Sequence, residues 1–301
     1  MQVIDERAEL LAVRAELVGP VGLVITMGAL HAGHAALIEQ ARRRCDHVVV
    51  TVYVNPLQYE DPRTYPSTLD ADRALCANLG VEVLYAPSTE QVYRDRGPLV
   101  RVDAGERGAV LEAHGRPGYF EGVLTVMLKM TNLVRPEAVF LGEKDFQQLA
   151  LFRRMVFDLD VPVEVVGVPT VREADGLALS SRNLRLSPKE RTAGLALPQA
   201  LTAAVTAARA GTHAEGVLAA ARALLTAAEY GDPPMHTLYL NLTDPLLGPA
   251  PASGPAWLLA AVRLGTTRLI DGMPLHLSSR PTKAHSSGLS ARSAELRSGR
   301  A

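Results

Sequence analysis

The sequence predicts an α/β protein with a Rossmann-like, doubly wound parallel sheet and a second, smaller α+β domain. Strand-like apolar runs alternate with helix-like segments up to about residue 170, which is typical of a parallel sheet with helices on both faces. The alternation then stops, and Ala-rich helical segments precede three strand-like runs. A chain of 301 residues is long enough for about two domains.

The first domain is predicted over residues 1–170. Its strands are predicted at 21–26, 47–54, 81–85, 138–141 and 163–168, and its helices at 33–44, 69–79, 123–134 and 147–158. The segment 47–54 is a near-continuous run of β-branched residues, which predicts a strand buried on both faces.

The second domain is predicted over residues 171–279 as a small lid. Ser187 and Glu190 form a capping-box pattern around Pro188, which predicts the start of one long Ala-rich helix. A further helix at 212–229 and strands at 236–242, 256–264 and 267–270 complete this domain. Residues 280–301 are rich in Ser, Arg and Ala without an apolar face, so we expect a disordered tail.

The composition excludes several classes of protein. A formal net charge of −1 gives no overall field that would attract nucleic acid or an anionic membrane. The longest uncharged run, 245–262, is broken by three prolines, so we expect no membrane-spanning helix there. Two cysteines, Cys45 and Cys76, make neither a disulfide framework nor a zinc site. We therefore expect a soluble, cytoplasmic protein with buried free thiols.

The segment 26–34, Thr-Met-Gly-Ala-Leu-His-Ala-Gly-His, lies at a predicted strand-to-helix turn. A helix N-terminus favours anions, and the imidazoles of His31 and His34 add donors for phosphate or a departing diphosphate. Gly33 would let the backbone approach a ligand. The segment is neither a Walker A loop nor a dinucleotide-binding fingerprint. The alternative is a surface turn with two solvated histidines.

Two glutamines and a lysine also follow predicted strands. Gln58 lies at the same edge of the sheet as the histidines, and its neutral amide can orient a carboxylate without reducing its nucleophilicity by a fixed charge. Lys144 supplies a point charge suited to phosphate, and Gln148, about one helical turn further, faces the same way. Each of these residues could instead be a solvated loop residue, and Asp145 could be only a helix cap.

The segment Ser180-Ser181-Arg182 combines two hydroxyls with a guanidinium at the predicted domain boundary. Such a group can clamp phosphate, and a loop at this place could close over a nucleotide. A polar linker is the alternative. Arg116 could reach a phosphate or an acidic substrate.

Six blocks in this order resemble the pantoate–β-alanine ligase (pantothenate synthetase) family of the HxGH nucleotidyltransferase superfamily. They are TMGALHAGH at 26–34, VNPLQ at 54–58, RPGYFEGVLTV at 116–126, FLGEKDFQQL at 140–149, VGVPTVREADGLALSSRN at 166–183 and TRLID at 267–271. The resemblance spans roughly residues 5 to 278. It implies condensation of (R)-pantoate with β-alanine to pantothenate, AMP and diphosphate through pantoyl adenylate.

The resemblance also implies the site residues. ATP would bind Met27, Gly28, Ala29, Leu30, His31, Ala32, Gly33, His34, Gly142, Glu143, Lys144, Asp145, Val171, Leu179, Ser180, Ser181 and Arg182. Catalytic roles would fall to His34, His31, Lys144, Ser180, Ser181 and Arg182. Gln58 would contact pantoate and the incoming β-alanine, and Gln148 would hold pantoate.

The resemblance further implies a homodimer and Mg²⁺ brought mainly by the nucleotide phosphates, and no protein metal site is predicted. Asp72 lies where the family can have a metal-contacting acid. The chain departs from the family pattern at Ile25, Tyr59, Tyr119 and Arg185, and in a short loop at 60–66.

Two other functions compete with this prediction. One is another HxGH-type adenylyltransferase, which would transfer AMP to a phosphate. Gln58 and Gln148 argue against it, because phosphate acceptors favour Arg and Lys. The other is a nucleotide-binding regulatory module without catalysis, which the intact set of Lys144, His34 and Arg182 disfavours.

Overall fold

In the computed structural model, the chain forms a six-stranded parallel sheet covered by helices and a three-stranded antiparallel sheet. The structure describes residues 1–58, 65–66, 68–94 and 97–278. The predicted tail at 280–301, Tyr59 and most of the loop 60–66 therefore lie outside the described residues. Within the described ranges, no helix is both long enough and apolar enough to cross a membrane.

The elements of the larger sheet and its helices occupy the first 168 residues. They are β1 Gln2–Ile4, α1 Arg7–Glu16, β2 Val21–Thr26, α2 Ala32–Arg44, β3 His47–Val52, α3 Leu69–Asn78, β4 Val83–Tyr85, α4 Thr89–Tyr93, α5 Tyr119–Val134, β5 Ala138–Gly142, α6 Phe146–Asp158 and β6 Glu164–Val168. The later elements are α7 Pro188–Gly194, α8 Ala196–Arg209, α9 Ala214–Glu229, β7 Met235–Thr243, β8 Gly254–Leu264 and β9 Thr267–Leu277.

The parallel sheet has the strand order β1-β4-β3-β2-β5-β6. From β2 the chain continues outward on one side through β3 and β4, and then crosses to β5 and β6 on the other side. The order therefore reverses between β2 and β5. In open α/β sheets, ligands bind at such a switch point, outside the carboxyl ends of the strands.

Both faces of the sheet are buried, which makes the fold doubly wound. On β2 and β3, Leu23 and Val49 belong to an apolar cluster under α5 and α6, whereas Val24 and Val48 belong to a second cluster under α2. Alternate residues of one strand point to opposite faces, so a strand covered on both sides is apolar throughout. This confirms the parallel sheet predicted from the sequence.

The smaller antiparallel sheet has the order β7-β8-β9, and α8 and α9 pack on it through Leu201, Val217 and Leu225. The predicted α+β arrangement is confirmed. The division at residue 170 stays a prediction, because Trp257 on β8 packs into the core of the larger sheet. There its ring stacks on Phe146, with ring centroids 3.9 Å apart and an interplanar angle of 17°.

The structure differs from the sequence predictions in several elements. The single helix predicted from Pro188 is two helices, α7 and α8. Pro198 has no N–H to donate to the carbonyl of Gly194, and its ring would clash with that carbonyl. The capping box is confirmed, since the Ser187 hydroxyl accepts from Glu190 N–H at 3.3 Å and the Glu190 carboxylate accepts from Ser187 N–H at 2.8 Å. Helices α1 and α4 and strand β1 were not predicted.

We expect Trp257→Ala to lower the free energy of unfolding by about 3–5 kcal/mol, because it leaves a cavity against Phe146. Trp257→Phe should cost less, since a stacked ring remains. Urea unfolding followed by circular dichroism measures both, because Trp257 is the sole tryptophan and fluorescence is lost with it. An alanine variant as stable as the wild type would contradict a stabilising contact between the Trp257 and Phe146 rings.

Candidate active site at the carboxyl edge of the parallel sheet

The loop after β2 is held in a strained turn by a buried carboxylate. Gly28 and Ala29 have φ values of +91° and +52°. Asp72 on α3 is 2% exposed, and it accepts from the N–H of Ala29 at 3.0 Å and from the N–H of Leu30 at 2.8 Å. The Thr68 hydroxyl donates to the same carboxylate at 3.0 Å. Asp72 therefore fixes the loop that leads to the histidines.

The two histidines cap the N-terminus of α2 with their own rings. His31 Nδ1 accepts from Gly33 N–H at 3.1 Å, and His34 Nδ1 accepts from His31 N–H at 3.2 Å. A ring nitrogen that accepts a hydrogen bond carries no proton, so the neutral ring bears its proton on Nε2. The ring centroids lie 4.2 Å apart. Both rings can thus donate from Nε2.

Burial makes these rings neutral. Burial, together with the neighbouring His31, lowers the pKa of His34 to about 3. Burial and the charge of Lys144 also lower the pKa of His31. At neutral pH the pair therefore offers uncharged hydrogen-bond donors and does not add two imidazolium charges.

Gly33 leaves room for a neighbouring side chain. A Cβ at this position would lie 2.8 Å from Cε1 and 3.0 Å from Nδ1 of His31. The glycine therefore makes room for the His31 ring that caps the helix, and its predicted approach to a ligand stays a prediction.

Gln58 ends the 3-10 turn Pro56–Gln58 that follows β3. Its Oε1 accepts from Nδ2 of Asn55 at 2.9 Å, and that Nδ2 also donates to the Gly122 carbonyl at 3.0 Å. Asn55 is 1% exposed. Because the oxygen of Gln58 is engaged, its amide N–H groups are left for the cleft that the side chain lines.

Lys144 and Gln148 lie at the start of α6. Lys144 Nζ is 3.6 Å from Asp145 Oδ2, and Asp145 makes no side-chain cap of the helix. The neighbouring Gln147 is buried and binds the carbonyls of Arg107 and Val110, each at 2.9 Å. Gln148 lines the cleft, and its amide makes no hydrogen bond to any described residue. Of these two glutamines, only Gln148 is therefore available to a ligand.

The segment that carries Ser180, Ser181 and Arg182 is tied to the smaller sheet. Arg172 contacts the buried carboxylate of Asp271 on β9 through two bonds of 2.7 and 3.0 Å. Ser180 Oγ accepts from Arg182 N–H at 3.3 Å and caps the turn Ser181–Arg185. The Arg182 guanidinium makes no ion pair within the part of the chain that the structure describes. The second half of the chain therefore contributes the Arg182 cation to the site.

These segments converge on one cleft of about 960 Å³. Of the predicted residues it is lined by Met27, Ala29, Leu30, His31, His34, Gln58, Lys144, Asp145, Gln148, Leu179, Ser180, Ser181 and Arg182. The remaining ones, Gly28, Ala32, Gly33, Gly142, Glu143 and Val171, lie outside its lining. Ala32 and Gly33 belong to the first turn of α2, and Gly142 ends β5.

One wall of the cleft was missed by the sequence analysis. Val123, Val126, Met127 and Met130 of α5 line it. Their helical spacing was visible, but the same spacing is typical of a core face. Arg116 donates to the Glu112 carbonyl at 3.1 and 2.7 Å and stacks on Tyr119, and its contact with a ligand stays a prediction.

A family model described as pantoate-beta-alanine ligase matches residues 2–274. The chain belongs to this family. It is 54% identical over 280 residues to a pantothenate synthetase of Salinispora arenicola, covering 92% of this chain and 98% of that protein. A pantothenate synthetase of Nocardia farcinica is 51% identical, with 88% of this chain and 82% of that protein covered.

Solved structures agree with the family assignment. Pantothenate synthetase from Thermus thermophilus has a TM-score of 0.83 and 44% identity, with 91% of this chain and 99% of that chain covered. The ligase from Francisella tularensis, crystallised with beta-gamma ATP and beta-alanine, has a TM-score of 0.73 and 31% identity, with 91% and 97% covered. This ligase is therefore an enzyme that joins pantoate to β-alanine.

We expect His34 to remain a neutral Nε2–H tautomer at pH 5, where an ordinary histidine with a pKa of about 6.5 is protonated. Its folded-state pKa of about 3 lies below the unfolded value of 6.5. The unfolded chain then binds the proton first, so this group lowers the free energy of unfolding as pH falls from 6.5 towards 3. Nitrogen-15 NMR, assigned with a His34→Asn variant, measures the tautomer. A ring protonated on Nδ1 at pH 7 would contradict the capping geometry.

Proposed function

We propose that this ligase activates (R)-pantoate with ATP as pantoyl adenylate, and that β-alanine then displaces AMP to give pantothenate. One observation carries the proposal: the neutral histidine donors, the cations of Lys144 and Arg182 and the amides of Gln58 and Gln148 come from separate segments and line the same cleft. The related enzyme from Francisella tularensis, crystallised with beta-gamma ATP and beta-alanine, supports the same substrates here.

In the first step, a carboxylate oxygen of pantoate attacks the α-phosphorus of ATP. The bond from that phosphorus to the bridging oxygen breaks, and diphosphate leaves with the electron pair. His34 and His31 donate from Nε2 to the departing phosphates, and Lys144 and Arg182 hold the charge that develops. The protein contributes mainly positioning and electrostatic stabilisation.

Gln58 and Gln148 orient pantoate in this step. A carboxylate that must act as a nucleophile reacts better when neutral amides hold it than when it is in a tight ion pair. The α5 wall of Val123, Val126, Met127 and Met130 would contact the apolar part of the acid. We assign the pantoate subsite to the space between these amides and this wall.

In the second step, the amine of β-alanine attacks the acyl carbon, and AMP leaves with the electrons of the acyl–oxygen bond. The proton that the nitrogen loses passes to the departing phosphate or to solvent. Ser180, Ser181 and Arg182 hold the phosphate of AMP. Water must be excluded until the amine arrives, because hydrolysis of the acyl adenylate would waste ATP. Since Arg172 joins this segment to β9, we propose that residues 171–279 move as a lid against residues 1–170.

Magnesium would enter with the nucleotide. The described residues contain no group of three His, Cys, Asp or Glu side chains that could hold a metal ion. Asp72, the acid at the family position, already uses both oxygens on backbone amides. We therefore propose that the Mg²⁺ ion is one that the phosphates carry, as is common for Mg²⁺.

We also propose a cytoplasmic location and a homodimer. The free, buried thiols of Cys45 and Cys76 suit a reducing compartment. The homodimer rests on the family resemblance alone, and size-exclusion chromatography with light scattering tests it.

The test of the function is an assay in which ATP, pantoate and β-alanine are each omitted in turn. We expect diphosphate release to require ATP and pantoate, and AMP turnover to require β-alanine as well. Transfer of AMP to a phosphate acceptor would support the adenylyltransferase alternative. Nucleotide binding without turnover would support a regulatory module.

We expect His34→Ala to retain its fold and to lose about 10²–10⁴-fold in pantoate-dependent diphosphate release, as is typical when a positioned catalytic donor is removed. The measurement is coupled diphosphate detection, with circular dichroism as the control for folding. A folded variant with near-normal release would refute the role of His34.

For Gln148→Ala we expect the KM for pantoate to rise more than the KM for ATP, with the melting temperature unchanged. Gln147→Ala is the matched control, because its buried amide bonds hold Arg107 and Val110 and its loss should lower the melting temperature. Titration calorimetry measures pantoate affinity directly. Unchanged affinity and turnover in the Gln148 variant would remove that residue from the site.

A further inference from the structure

The amide of Gln58 is oriented by a series of buried hydrogen bonds. Asn55 uses its Nδ2 on Gln58 and on the Gly122 carbonyl. Its Oδ1 accepts from the Tyr93 hydroxyl at 2.9 Å and from the Leu57 N–H at 3.3 Å. The Gly122 carbonyl and the Leu57 N–H distinguish the oxygen of Asn55 from its nitrogen, because a flipped amide would place like groups against each other at both. The Tyr93 hydroxyl donates to the oxygen that these two contacts identify.

This series of hydrogen bonds begins at Tyr93, the last residue of α4. It is 6% exposed, and burial raises the pKa of its hydroxyl, so the group stays a protonated donor. The short helix is fixed at its start by the Ser88 cap, and Gln91 Oε1 accepts from Arg7 N–H at 3.0 Å. The hydroxyl therefore meets Asn55 from a well-anchored element.

We propose that Tyr93 is a positioning residue for this ligase: its hydroxyl fixes the Asn55 amide, which in turn makes Gln58 present only N–H groups to the cleft. The inference rests on the proposed role of Gln58. Tyr93 itself does not line the cleft. It acts on the cleft through the side-chain amides of Asn55 and Gln58.

The orientation determines which groups Gln58 recognises. Two N–H donors fit the carboxylate or hydroxyl oxygens of pantoate, and they cannot accept a hydrogen bond from the ammonium group of β-alanine. Gln58 therefore recognises carboxylate or hydroxyl oxygens, and it can contact β-alanine only through the carboxylate of that substrate.

Tyr93→Phe tests the inference, because it removes one hydroxyl and keeps the ring. We expect the KM for pantoate to rise about 3- to 10-fold, as for the loss of one buried hydrogen bond, and the KM for ATP to stay unchanged. Tyr85→Phe is the matched control: Tyr85 is also buried at this edge of the sheet, and its hydroxyl has no partner among the described residues. It should leave both KM values unchanged.

A double-mutant cycle with Gln58→Ala distinguishes positioning from a general structural effect. If Tyr93 acts through Gln58, the effect of Tyr93→Phe on the pantoate KM disappears in the Gln58→Ala background. An undiminished effect, or a pantoate KM unchanged by Tyr93→Phe alone, overturns the inference. A pantoate KM unchanged by Gln58→Ala overturns the proposed role of Gln58 as well, so the two failures are distinguishable.

Asn55→Asp provides a second variant if Tyr93→Phe does not fold. The carboxylate cannot donate, so Gln58 must turn its N–H groups towards residue 55 and its oxygen towards the cleft. We expect a larger loss of pantoate affinity than for Tyr93→Phe, with ATP affinity retained. Pantoate affinity equal to that of the wild type in a folded variant overturns the inference.

Discussion

The bond between the buried carboxylate of Asp72 and the backbone amides of Ala29 and Leu30 underlies the geometry of the whole site. These amides belong to a turn with two positive φ values, a conformation that a non-glycine residue such as Ala29 adopts at a cost. Leaving a buried N–H without a partner costs about 1–3 kcal/mol, so the carboxylate stabilises the turn. This turn places His31 where its ring can cap α2. Because the two caps use Nδ1, the Nε2 atoms of both histidines remain as donors.

The arrangement separates charge from the reacting acid. Neutral imidazoles lie at the N-terminus of α2, cations come from Lys144 and Arg182, and neutral amides come from Gln58 and Gln148. Phosphates carry charge that must be held through both steps, whereas the pantoate carboxylate must remain nucleophilic. The proposed placement of amides against the acid and of cations against the phosphates would meet both needs in one cleft. The pKa of His34, lowered to about 3, keeps this histidine uncharged at neutral pH.

Local pattern was enough to predict the parallel sheet, because β-branched runs and strand-to-helix turns are visible in short windows. Most of the residues predicted for the cleft came from the family resemblance. The role of Asp72 was not predictable, since its bonds join residues about 40 positions apart. The protonation state of His34 depends on burial by distant segments and on a ring nitrogen bonded three residues away. Strand β1 has only three residues, too few for a periodic signal. The break before α8 was predictable in principle from Pro198, but Ala-rich flanks suggested one continuous helix.

The central claim is that the cleft makes pantoate reactive by joining it to AMP. The most direct measurement is acid quenching of enzyme mixed with ATP and pantoate in the absence of β-alanine, followed by mass spectrometry of the released small molecules. The account predicts pantoyl adenylate together with an equal amount of diphosphate, and conversion of that adenylate to pantothenate when β-alanine is added before the quench. Formation of ADP and pantoyl phosphate, or turnover to pantothenate with no adenylate at any quench time, would contradict it.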